Sequence, residues 1–270
     1  MSKLLPLADA IRAIPDGALL GLGGNTLNRA PMAAVMELAR QGKRDLRLVK
    51  TAGGMDVDLL CLAGCAASVD AGFVSYETEY SLCRHYRRAV QRGLVKANEH
   101  ACYTVISALR AASCGIPFMP VRGLIASDLL SVNDYFAPVA DPFTGESLNA
   151  VKAIRPDVCI IHAQLADDRG NAFLEGPQYD DVLLTRASQS TLVTAERIVG
   201  EDFFARSREK AHIPHFLVKA VVRAPRGAAP GACHGAYGVN DGDIRSFLGL
   251  EDDASLEAWL QRRPRYAQAL

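Results

Sequence analysis

The stretch Asp16-Gly17-Ala18-Leu19-Leu20-Gly21-Leu22-Gly23-Gly24-Asn25-Thr26-Leu27-Asn28-Arg29-Ala30-Pro31 is a short apolar run that empties into a glycine turn and then a helix start. Bounded by Asp-Gly on one side and Gly-Gly-Asn on the other, the run has the form of a buried parallel strand. Gly23-Gly24 lets backbone N–H groups approach a ligand with no side chain between them. Pro31 suits the first turn of a helix, where its missing N–H costs nothing. Amide donors and the positive end of the helix dipole then share one space, in which an anion or a developing oxyanion can sit. The spacing Gly21-x-Gly23-Gly24 lacks the third glycine of the dinucleotide fingerprint. On this stretch alone, a structural turn and a ligand loop both stay open.

Outward from this turn, short apolar runs alternate with helical patterns. Strands are predicted near 18–23, 46–51, 69–75, 94–98, 119–123, 158–163, 191–194 and 215–223. Helices are predicted near 4–13, 31–41, 56–63, 79–91, 101–114, 179–188, 241–248 and 254–262. This alternation predicts an α/β fold, an open and mainly parallel sheet flanked by helices, in a single domain over 1–270. Residues 127–147, with Pro138, Pro142 and Gly145, read as a long irregular excursion. Residues 224–242 are rich in glycine and proline and read as sharp bends near the sheet edge.

The 270 residues are 49% hydrophobic, enough for a full core, and 30 basic against 30 acidic residues leave no net charge, which argues against a nucleic-acid surface. Seven cysteines (61, 65, 83, 102, 114, 159 and 233) show no two-residue pairing, and no apolar leader or membrane-length run is present, so a reduced, cytoplasmic protein is expected. Cys61 and Cys65 read as packing residues, and His85, His162, His212, His215 and His234 form no ligand pattern, so no metal is expected. Arg84, Arg87, Arg88 and Arg92 follow one side of a predicted helix, as a solvated face does.

The Asp16-to-Pro31 stretch resembles the N-terminal signature of the α-subunit side of class I coenzyme A transferases. Asp16, Gly17, Gly23, Gly24 and Pro31 fit that signature, while Asn25 stands where an aromatic belongs and Arg29 where a glycine does. Further blocks follow in the family's order. They are Tyr86-Arg87-Arg88-Ala89 before Gly93, then Ala108 to Ala112 leading to Gly115-Ile116-Pro117-Phe118-Met119-Pro120, and Ala166 to Ala172. Val193-Thr194-Ala195-Glu196-Arg197-Ile198-Val199 and Ala224 to Ala228 complete the series, which is similar to glutaconate CoA-transferase α-like subunits and to related ring-opening hydrolase subunits.

The resemblance implies a CoA-transferase-like, sugar-phosphate-isomerase-like architecture and a covalent relay through a glutamate on a β subunit, within a Ser-Glu-Asn-Gly type motif. This chain contains no Glu-Asn-Gly, so a β partner, with an α2β2 assembly, is expected to bring the nucleophile. Coenzyme A is then a substrate, alongside a carboxylic acid, and no permanently bound cofactor is expected. Gly23, Gly24 and Asn25 would form the oxyanion side of the site. Arg29 would either pair with a substrate carboxylate or a CoA phosphate or stand as a solvated surface arginine. Glu77 and Glu79, after the third predicted strand, either cap the following helix or serve as acid or base, and Glu77 and Glu99, the latter in Glu99-His100-Ala101-Cys102, are candidate substrate-binding residues. In the ring-opening relatives this last neighbourhood carries an acidic residue used in hydrolysis, and Cys102 stands at its place. A role within a CoA-thioester ring-opening hydrolase is thus the second reading; a sugar-phosphate isomerase or sensing module is the third.

Overall fold

Leu20 and Leu22 of β1 (Leu19–Leu22) are fully buried, because β1 has parallel neighbours on both sides and helices over both faces. The computed structural model describes residues 2–124, 127–200 and 202–266. α1 (Leu7–Arg12) precedes β1, and α2 (Met32–Arg40), β2 (Leu46–Gly53), α3 (Met55–Leu62) and β3 (Ala66–Val74) follow it. Then come α4 (Glu77–Tyr80), α5 (Arg84–Gln91), β4 (Lys96–Glu99) and α6 (Cys102–Ser113). A smaller sheet holds β5 (Phe118–Val121), β6 (Phe136–Ala140) and β7 (Ser147–Lys152), with α7 (Leu129–Val132) before β6. The chain returns through β8 (Val158–Asp167), β9 (Ala172–Phe173), α8 (Asp181–Ala187), β10 (Thr191–Val199), α9 (Asp202–Arg206) and β11 (Val218–Arg223). α10 (Asp241–Leu248) and α11 (Asp253–Gln261) close the described fold.

The main sheet has the order β11-β10-β8-β1-β2-β3-β4, every neighbour parallel, with β9 antiparallel on β8. Successive residues enter opposite cores. Leu48 joins the cluster of Leu20, Leu38 and Leu60, while Val49 joins that of Ile161, Leu184, Val193 and Val221. The order of strands reverses between β1 and β8. Ligands of open α/β sheets bind in the crevice outside the carboxyl ends of the strands at such a reversal, and Gly23-Gly24 leaves β1 there.

The structure departs from the sequence reading in three places. The strand expected near 119–123 is β5, which belongs to the separate antiparallel sheet β5-β7-β6. The excursion at 127–147 is largely ordered, holding α7, β6 and a hairpin into β7. Its prolines misled because Pro138 sits on an edge strand, where the missing N–H breaks no ladder. The helix expected at 79–91 is cut into α4 and α5 by Ser81, whose φ of 66° no helix accommodates.

Candidate active site at the strand reversal

The turn after β1 is a small hairpin of its own. The Asn25 N–H donates to the Asn28 carbonyl at 2.8 Å and the Asn28 N–H to the Asn25 carbonyl at 2.7 Å. Gly24 has φ of 74°, and a Cβ there would lie 2.5 Å from the backbone of Arg29, so only glycine lets the turn close. Thr26 adopts φ of 46° and Arg29 55°, conformations that cost roughly 1–3 kcal/mol each and persist only where surroundings impose them.

The surroundings are two buried ion pairs. Below the turn, Lys50 of β2 lies 3.0 Å from Asp56 at the start of α3 and donates to the Gly23 carbonyl. Beside it, Arg29 sits 2.7 Å from Asp181, the first residue of α8, and a second Asp181 oxygen accepts the Gly24 N–H at 2.7 Å. Arg29 also donates to the Pro177 carbonyl at 2.7 Å and lies over the Tyr179 ring. Burial pushes the Asp181 carboxyl up, while Arg29 and the Gly24 N–H pull it back. Residues 231–232 close the far side. The Arg29 N–H donates to the Ala232 carbonyl and the Ala232 N–H to the Leu27 carbonyl, both at 2.7 Å.

These contacts revise two expectations. Gly23 donates its N–H to the Ile160 carbonyl at 2.9 Å and Gly24 gives its own to Asp181, so the glycine amides are engaged within the chain and do not point at a ligand. Arg29 is only 2% exposed and neutralised by Asp181, so it braces the turn and does not face a substrate. The Asn25 side chain is half-buried and makes no hydrogen bond among the described residues.

Glu77 also comes to the turn. It has φ of 62° and accepts from the Thr26 hydroxyl at 3.1 Å, so two left-handed, non-glycine residues hold each other across the mouth. A shallow cavity of about 220 Å³ opens here, lined by Thr26, Leu27, Asn28, Tyr76, Glu77 and Tyr80 among others, with Glu79 also on its wall. Glu99 does not join them. It ends β4, three strand spacings and roughly 14 Å from β1, with its carbonyl held by Asn133 at 2.6 Å. A larger groove of about 710 Å³ lies between the C-terminal end of α2 and α11. It lies at the end of α2 away from the glycine turn, where Arg40 caps the Leu260 and Arg263 carbonyls.

Two features escaped the sequence reading. Asp180 and Thr51 are hydrogen-bonded to each other beside the turn, and the Cys102 thiol stands at the start of α6, 3.5 Å from the Thr51 carbonyl. Burial raises the Cys102 pKa. These residues lie far apart in the chain, and no local spacing signals their meeting. The second is a buried network around His162, whose ring binds Thr194 at 2.9 Å and Glu196 at 2.8 Å. Glu196 also accepts from Tyr237 at 2.5 Å and from the Arg226 N–H at 2.7 Å. Burial raises the Glu196 carboxyl, but these donors outweigh it and hold the group below its ordinary value. His162, Glu196 and Cys233 bring ligand-type atoms within 4.8 Å of one another, yet both ring nitrogens and the carboxylate are already satisfied by hydrogen bonds.

An open parallel sheet with a braced glycine turn at its strand reversal defines an α/β enzyme fold. Residues 5–224 match the Coenzyme A transferase family, and the chain belongs to it. It is 36% identical over 241 residues to the A-type subunit of 3-oxoadipate CoA-transferase from Pseudomonas knackmussii, covering 88% of this chain and 84% of that one. It is 30% identical over 269 residues to the cholesterol ring-cleaving hydrolase IpdA subunit of Rhodococcus jostii, covering 96% and 90%. Among solved structures, glutaconate coenzyme A-transferase from Acidaminococcus fermentans superposes with a TM-score of 0.88 at 29% identity, over 97% of this chain and 93% of that one. A variant of the decarboxylase AibA/AibB superposes with a TM-score of 0.88 at 36% identity, over 97% and 100%. Among the described residues, no helix is long and apolar enough to cross a membrane.

Proposed function

We infer that this chain is the A-type subunit of a heteromeric CoA-transferase that moves CoA between an acyl-CoA and a carboxylic acid, the attacking glutamate coming from a B-type companion. The observation that supports this reading is the braced turn at the strand reversal, where the Asn25 carboxamide makes no hydrogen bond among the described residues while the Glu77 carboxylate is engaged by the Thr26 hydroxyl.

In the reaction, the companion's glutamate oxygen attacks the thioester carbonyl carbon, and the C–S bond breaks to release CoA thiolate and leave an acyl-glutamyl anhydride. The thiolate then attacks the glutamyl carbonyl, giving glutamyl-CoA thioester and the free acid. The acceptor carboxylate runs the same two steps in reverse. Each attack places negative charge on a carbonyl oxygen, and the role left to this chain is to hold the Asn25 N–H donors toward it.

Hydrolysis, the second reading, rests on the likeness to IpdA. It requires a base that activates water. Cys102 stands at the start of α6 where the ring-opening relatives carry an acidic residue, and a thiol is a poorer base toward water than a carboxylate, which favours transfer.

The test is co-expression with the B-type companion, followed by acyl-CoA and borohydride reduction. Transfer predicts a trapped adduct on the companion's glutamate. An active complex that yields no adduct overturns it.

A further inference from the structure

We propose that Glu196 is a positioning residue for the glycine turn, acting through residues 226–237, a segment whose two ends it holds. This rests on the transfer reading above, in which the turn carries this chain's share of the chemistry. Glu196 lies on β10, and its hold reaches the turn only by way of the segment between β11 and α10.

Between Arg223 and Asp241 the chain forms neither helix nor strand, so short-range turns and side-chain bonds fix its course. The bonds at its two ends meet on one carboxylate. One Glu196 oxygen accepts the Arg226 N–H at 2.7 Å; the other accepts the Tyr237 hydroxyl at 2.5 Å and His162 Nε2 at 2.8 Å. The Tyr237 oxygen in turn accepts the Ala228 N–H at 3.0 Å. Because these donors hold the carboxyl ionised, the bonds are charge-assisted and roughly twice as strong as neutral ones. An ionised carboxylate only accepts, which places a proton on His162 Nε2. The imidazole is fully buried, and the segment lies directly on it: a Cβ on Gly227 would come within 2.6 Å of the ring.

The middle of the segment lies on the glycine turn. Ala232 exchanges backbone bonds with Leu27 and Arg29, and Gly231 packs so closely that a Cβ there would lie 2.3 Å from the Leu27 carbonyl oxygen. The Gly227 carbonyl accepts the Ala33 N–H at 2.8 Å, at the start of α2. Thr26 and Arg29 keep left-handed dihedrals that persist only where contacts impose them, and Ala232 supplies one such contact. Weakening the carboxylate lets 231–232 drift and the turn relax. A misplacement of about 1 Å is enough to cost about 10²-fold in rate. The blocks 193–199 and 224–228, separated in the chain, thus serve one end.

The test uses Glu196→Gln, which keeps the shape and removes the charge, and Tyr237→Phe, which removes one hydroxyl. In the enzyme assembled with its B-type companion, kcat should fall by about 10²-fold for the first and about tenfold for the second, with KM for acyl-CoA within about twofold of the parent. Adding Asn25→Ala to either should cost less than the product of the separate losses, because both changes act on one turn. Amide exchange over residues 27–33 of the same complex, read by mass spectrometry, should quicken roughly tenfold. Leu256→Ala, in the core beneath α11, is the destabilised control: its thermal midpoint should fall while kcat and exchange at 27–33 stay at the parent's values. Tyr237→Phe carries the test alone if Glu196→Gln fails to fold. Unchanged kcat, a loss confined to KM, multiplicative losses with Asn25→Ala, or unaltered exchange at 27–33 would each overturn the proposal. Quickened exchange in a complex whose parent yields no glutamyl-CoA adduct instead sinks the transfer reading and leaves the positioning role standing.

Discussion

Asp181 holds the turn from within, and the Asn25 carboxamide makes no hydrogen bond among the described residues. Replacing Asn25 by Ala removes the free donor and leaves the Asn25–Asn28 backbone pair intact, so kcat should fall by about 10²–10³ while KM moves little. Steady-state kinetics of the assembled enzyme checks this, and a change confined to KM would assign Asn25 to ground-state binding. Asp181→Ala strands Arg29 as an uncompensated buried charge and should cost about 3–5 kcal/mol, read from urea unfolding. The tight turn at Gly24 was legible in the sequence because turn chemistry is local, but the acceptor that takes its N–H, Asp181, was not. Arg29 was misread for the opposite reason: an arginine beside a glycine turn looks solvent-facing until Asp181, more than a hundred residues later, is seen to neutralise it.

At the scale of elements, α6 approaches β3 so closely that a Cβ on Gly72 would lie 2.4–2.6 Å from the nitrogen, Cα and Sγ of Cys102. Gly72→Ala must push the helix start outward and pull the thiol from the Thr51 carbonyl. In a Cys114→Ser background, which removes the exposed thiol, Cys102 should then react with a disulfide reagent at least tenfold faster, with a stability loss of about 1–3 kcal/mol. An unchanged rate would show that the helix start tolerates the added methyl. The strands of the main sheet were readable as apolar runs bounded by turns. The small sheet was not, since prolines suited to edge strands are the same residues that mark loops, and α4 and α5 looked continuous because a left-handed serine leaves no trace in periodicity.

For the whole molecule, the α/β class was legible from alternation, but the strand order was not, because nothing local says that β8 returns to lie beside β1. A buried acid on α3, facing α5, gives the folded state a pH signature. Asp58 accepts from the Tyr76 hydroxyl at 3.0 Å and the Tyr86 N–H at 2.8 Å. Burial nevertheless raises its pKa from 3.8 to about 6, those two donors only partly opposing it. The folded chain thus keeps a proton that the unfolded chain releases. This group's contribution to stability is largest below pH 4, declines as pH rises through 6 and is flat beyond, a change of about 3 kcal/mol. Urea unfolding at pH 4.5 and 7 should show the parent losing stability relative to Asp58→Asn over that interval; parallel behaviour would mean that Asp58 titrates normally.

The bonds that brace the glycine turn also set a timetable. Gly24 is held by Asp181 and Arg29 by Ala232, so a chain leaving the ribosome at about 5–20 residues per second carries its first strand for many seconds before either clasp emerges. The small sheet at 118–152 is complete earlier. Nascent chains stalled before residue 181 should therefore carry the completed small sheet while the glycine turn is still unclasped.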